Sequence, residues 1–134
     1  VIVGFPGETP GQFQNTFDLL EELRMDVAHL ARYSPRSETW AARNLKDDVP
    51  SDEKWDRFRR LEVLQEQIAT EIHTSHLGKE VEILFEEKVK NRWRGRTPTN
   101  KLTFVESDND LHGQLCKVRI TRAGAWSMSG EFAG

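Results

Sequence analysis

The chain has 134 residues, 37% of them hydrophobic and 31% charged, with a formal net charge of −3; that is enough for one ordinary domain or two small ones, but not for one large buried core. Its longest apolar runs are only a few residues, far short of the roughly 20 that span a bilayer, and no basic, apolar and small-residue leader pattern is seen, so the expectation is a soluble, cytoplasmic protein without a membrane partner. A single cysteine, Cys116, excludes an internal disulfide framework and any metal or cluster site needing several thiolates from this chain.

Val1 to Val3 is β-branched throughout and halted by Gly4, which reads as the end of a buried strand. Thr9 is placed to cap a helix, Pro10 fits its first position, and Gln12 stands where a capping box needs it. Phe13, Phe17 and Leu20 then recur at helical spacing, predicting a helix to about Arg24, and Asp26 to Tyr33 is a second strand candidate. Strand, helix, strand points to a parallel α/β arrangement. Residues 34–50 carry two prolines and no sustained period, so they are expected to be irregular.

Ser51 is a candidate cap, with Asp52 and Glu53 in the first turn where carboxylates favour exposed amides. Phe58, Leu61, Leu64, Ile68 and Ile72 keep helical spacing up to Leu77, and Gly78 suits a helix end, so 51–77 should be one long amphipathic helix. Beyond Gly78 the period becomes alternating. Val81, Ile83 and Phe85 oppose Glu80, Glu82 and Glu86; residues 94–106 continue as a strand region; Cys116, Val118 and Ile120 oppose Lys117, Arg119 and Arg122. Several short strands separated by turn residues predict a small antiparallel barrel or sandwich, with Cys116 as one of its small buried residues.

Two stretches are candidates for chemistry. The opening "VIVGFPGET" has glycines, but a phosphate-cradling loop needs a Lys and a hydroxyl after the last of them, and Glu8 stands there instead. The second stretch is Lys88 to Lys101, with six cations and no acid. Residues 1–77 hold nine Lys or Arg against fourteen Asp or Glu, whereas residues 78–134 hold ten against eight, so the positive charge concentrates in the barrel half. Lys88, Lys90, Arg92, Arg94 and Arg96 share a parity that a strand would turn to one face, where they could follow a phosphate backbone while Trp93 stacks on unpaired bases. The bland alternative is a charged edge strand protected from aggregation. His29, His73, His76 and His112 show no ligand pattern beyond the weak His73 and His76 pair, so no metal site is expected.

"VIVGFPGET", "RYSPR", "LQEQIATEIHTSHLGKEVEIL", "GRTPTNKLTF" and "GQLCKVRITRAGAWSMSGE" occur in the order and at about the spacing of the C-terminal part of the radical-SAM methylthiotransferases. The resemblance covers essentially the whole chain and is strongest to the branch making 2-methylthio-N6-isopentenyladenosine in tRNA. It implies an α/β fragment ending a radical-SAM barrel (1–50), a connecting helix (51–77) and an OB-like all-β TRAM domain that binds RNA (78–134). The abrupt apolar start then reads as a strand of a larger barrel.

In that family the reaction uses S-adenosylmethionine and two [4Fe-4S] clusters, one held by a Cys-x3-Cys-x2-Cys motif. None of those cysteines is in this chain, so the enzyme is expected to be the parent protein, a monomer, and this fragment is expected to be inactive alone, with no catalytic residue and no retained cofactor. The resemblance places Ile2, Gly4, Glu8 and Arg36 near the adenosylmethionine, although Glu8 stands one place later than the acid of the family's general pattern, and "SETW" replaces the usual Pro-Gly-Thr-Pro after "YSPR". It makes Gly95, Arg96, Thr97, Asn100 and Lys101 an RNA-facing phrase coinciding with the basic row, with the tRNA anticodon stem-loop as partner. A sister branch acting on a ribosomal protein is the alternative, and a purely structural barrel a third.

Overall fold

A computed structural model describes residues 1–133. The chain divides into two compact units, residues 1–68 and 69–134, with the division falling inside a long helix.

In the first unit, β1 (Ile2–Val3) and β2 (Ala31–Arg32) form a two-stranded parallel sheet, joined by α1 (Pro10–Leu23). The expected capping box is present: the Thr9 hydroxyl accepts from Gln12 N, and the Gln12 side chain accepts from Thr9 N. Arg24 closes the helix in the left-handed region at φ 48°. The second strand is much shorter than the eight residues expected. The stretch expected to be irregular contains a short helix, α2 (Trp40–Asn44), whose start is capped by Thr39; its five residues are too few to show a period.

The long helix α3 (Ser51–Thr74) begins with Ser51 inside it rather than as its cap. It stops three residues before the expected Leu77, because the chain passes into a tighter turn in which His76 N bonds to His73 O and Leu77 N to Thr74 O. Gly78 follows at φ 76°. Leu61, Leu64 and Ile68 are buried as the stripe predicts, but at its start the buried positions belong to Lys54 and Arg57, while Phe58 is half-buried.

In the second unit, β3 (Glu80–Val89), β4 (Arg92–Arg96), β5 (Leu102–Glu106), β6 (Leu115–Ala123) and β7 (Met128–Phe132) close into a barrel in the order β3-β4-β5-β7-β6. Four of the five pairings are antiparallel; β5 with β7 is parallel, a departure from the all-antiparallel expectation. Closure leaves no sheet edge exposed. Ile83, Phe85, Val105, Val118, Ile120 and Met128 fill the interior, with Cys116 partly buried against them. Gly95 and Gly130 are required where strands approach closely: a Cβ on Gly95 would stand 2.5 Å from Ile83 Cγ2 and 2.6 Å from Leu84 O, and one on Gly130 would collide with Arg119 O. Both strands of β7's flanks were visible as patterns, but "MSGEF" is short, small and polar, and carries no alternation of its own.

Candidate nucleic-acid interface

The basic stretch folds as a hairpin rather than as one strand. Lys90 and Asn91 make its two-residue turn, with Lys90 in the left-handed region at φ 58°. Lys88 therefore lies on β3, and Arg92, Arg94 and Arg96 on β4. A bulge between Phe85 and Glu87 shifts the register, so Lys88 is opposite Trp93 while Glu87 is opposite Arg94. Cross-strand partners share a face. The five cations expected on one face are thus divided into three arginines on the outer face of β4 and two lysines at the hairpin tip.

Trp93 alternates with those arginines and so points inward, which corrects its expected role as a stacking surface: it is 6% exposed and belongs to the barrel core. The same holds in part for the "RTPTNK" phrase. Thr97 and Lys101 are both more than nine-tenths buried and build the β4–β5 turn. Thr97 N donates to Lys101 O at 3.0 Å, Lys101 N to the Thr97 hydroxyl at 3.0 Å, and Lys101 Nζ to the Thr99 hydroxyl at 2.8 Å. Asn100 is exposed at the tip of this turn, at φ 63°.

Electrostatics differ along the arginine row. Arg94 is paired with Glu87, and Arg96 Nε lies 3.9 Å from Glu86, so acids from β3 flank these two. Arg92 instead lays its guanidinium 4.4 Å from the centre of the Phe104 ring. Phe104 shares the outward parity of Leu102 and Glu106 on β5; that alternation marks it in the sequence, though the charge pattern drew attention to β4 alone. On the far side, Arg122, Glu131 and the half-exposed Phe132 complete a groove of about 520 Å³ that also reaches Arg92, Phe104 and Glu106.

The other predicted site residues lie in the first unit. Ile2 and Arg36 are exposed and line an apolar groove of about 390 Å³ with Phe5 and Tyr33. Gly4, at φ 78°, and Glu8 are committed to the fold itself: Glu8 Oε1 accepts from Gly4 N at 3.0 Å and from Arg57 at 2.7 Å. The stem of Lys54 packs where a Gly4 side chain would be, and its ammonium donates to Tyr33 O at 3.2 Å and Asp47 at 2.7 Å. These buried cations were missed because they occupy positions where a hydrophobic residue is the ordinary expectation. His73 and His76 do not converge: His73 Nδ1 meets Gly124 O at 2.5 Å, and His76 Nδ1 meets Ile72 O at 3.0 Å. Among the described residues, no group of three or more His, Cys, Asp or Glu side chains is placed to hold a metal ion, and no helix is long and apolar enough to cross a membrane.

The TRAM domain family matches residues 75–133. Along 97% of its length the chain is 48% identical to the tRNA-2-methylthio-N(6)-dimethylallyladenosine synthase of Chloroflexus aurantiacus, covering 28% of that protein. It is 41% identical over 98% of its length to the synthase of Dehalococcoides mccartyi strain 195, covering 32%, and 42% identical over 98% to that of Bacillus cereus, covering 26%. The chain thus spans between about a quarter and a third of the curated relatives it matches. Residues 75–133 thus match the TRAM domain family, and nearly the whole chain is similar to a part of the tRNA methylthiotransferases.

Proposed function

We propose that this chain is the tRNA-binding portion of a radical-SAM methylthiotransferase of the cytoplasm, one that places a methylthio group on C2 of N6-isopentenyladenosine beside the anticodon. The observation that carries the reading is the outward row Arg92, Arg94 and Arg96 on a closed barrel of the TRAM family. Three guanidiniums at alternate strand positions follow a phosphate backbone, with Lys88, Lys90 and Asn100 at the two turns beside them. Thr97 and Lys101 support that surface by fixing the β4–β5 turn, and Trp93 supports it from inside the core.

A radical-SAM methylthiotransfer of this kind requires adenosylmethionine and iron–sulfur clusters. Cys116 is the chain's only thiol and packs against the barrel core, a donor set that does not fit a cysteine-ligated cluster. For adenosylmethionine, Ile2 and Arg36 are the side chains open to a ligand, apolar and cationic, and would meet its adenosine and carboxylate ends. Gly4 and Glu8 shape the loop beneath them. What this chain contributes to the chemistry is the holding of tRNA.

Titration of the protein with a tRNA anticodon stem-loop at several salt concentrations tests the proposal. Affinity should fall steeply as salt rises, and replacing Arg92, Arg94 and Arg96 by Ala should flatten that slope by about three phosphate contacts. Salt-independent binding, or preference for a ribosomal protein over the stem-loop, would overturn it.

A further inference from the structure

We infer that the groove on the outer face of β5, β7 and β6 takes one unpaired RNA nucleotide whose base carries an exocyclic amino group. This rests on the RNA-binding reading and specifies where, and by what chemistry, a base rather than a phosphate is held.

The groove is lined by both signs of charge, and among the described residues its charged groups form no ion pair. Arg92 stands directly opposite Glu106 in the β4–β5 register, yet the two form no ion pair, since the guanidinium lies over Phe104 instead. Glu131 is opposite Arg119, but Arg119 turns away to Glu80 at 3.1 Å. Arg122 and Glu131 likewise have no ion-pair partner among the described residues. Two carboxylates beside two guanidiniums give no net attraction for a free anion, which argues against a bare phosphate site. They suit a neutral ligand with hydrogen-bond donors and a π face.

A nucleobase has both. Its ring can stack on the Arg92–Phe104 pair. An amino group can donate to Glu106 or Glu131, and Arg122 can meet the ribose or the next phosphate. The adjoining arginine row on β4 then continues along the backbone of the same strand. Single-stranded RNA is the form that offers such a base, because in a duplex its edge and face are already engaged.

The test uses the full 134-residue chain and two labelled oligonucleotides of equal length and charge, hexacytidylate and hexauridylate, at one salt concentration. Cytosine carries the amino group and uracil does not. The hexacytidylate should bind about tenfold more tightly, the worth of one charge-assisted hydrogen bond. The double variant Glu106→Gln, Glu131→Gln should bring the two affinities within about twofold by removing that bond, and Phe104→Leu should weaken both by about fivefold or more through lost stacking. Thermal melting of each variant separates loss of binding from loss of fold, and the double substitution, being on exposed side chains, keeps the test available if Phe104→Leu melts early. Equal binding of the two oligonucleotides, or a cytidine preference that survives the double substitution, overturns the groove. If they bind equally but lose affinity when the β4 arginines are replaced, the RNA reading stands without the groove; if neither oligonucleotide nor a stem-loop binds, both fail.

Discussion

In the first unit the buried positions at the start of α3 are filled by Lys54 and Arg57, each hydrogen-bonded to a carboxylate and a backbone carbonyl, whereas in the barrel the buried positions of β3, β4 and β6 are filled by Ile, Phe, Trp and Val. The first arrangement depends on matched pairs; the second depends on apolar volume and on a closed hydrogen-bond ladder. A two-stranded sheet of two residues each adds little on its own. The comparison teaches that the two halves should respond to different injuries, and substitutions can be chosen to separate them.

The largest expected effect is in the first unit. Arg57→Met removes the partner of Glu8, a carboxylate with only 14% of its side chain exposed, and should cost about 3–5 kcal/mol as that charge is left buried and unpaired. Helical signal and amide protection of residues 1–68 should fall while the barrel stays protected; equal loss in both units would break the comparison. In the barrel, Gly95→Ala drives a methyl into Ile83 and the Leu84 carbonyl and should cost about 1–3 kcal/mol, read as an earlier melting of residues 78–133. Hydrogen exchange of the unaltered protein should show residues 1–50 opening more readily than the barrel strands, since β1 and β2 leave sheet edges uncovered within their two-stranded sheet. The smallest effect is on the surface: Glu87→Gln should change stability by less than about 1 kcal/mol. It should nonetheless tighten RNA binding by releasing Arg94, a gain that disappears at high salt.

Much of this architecture was legible in the sequence where local chemistry and tertiary context agree. Thr9, Pro10 and Gln12 mark the start of α1 because a capping box is a local device. The alternation of Val81, Ile83 and Phe85 marks β3 because one face is buried and the other wet. Legibility failed where a long-range contact decides. The bulge at Glu86 moves Lys88 out of phase with the arginines, and nothing near it in the sequence announces an extra residue. Trp93 has the ring of a stacking surface, but its parity, opposite to Arg92 and Arg94, turns it inward. Lys101 looked like a cation offered to RNA, yet its hydroxyl partner at Thr99 comes from the fold of the turn. Charge content points to the second half of the chain; register decides which of its charges face outward.

The claim that the outer face of the barrel holds RNA, while the first unit's cations serve its own fold, is tested most directly by hydrogen exchange with and without a tRNA anticodon stem-loop. Binding should add protection in β4, β5 and the turns at residues 90–91 and 97–101, and leave Lys54, Arg57 and the residues around them unchanged. Protection confined to residues 1–68, with the barrel indifferent to the stem-loop, would contradict the account.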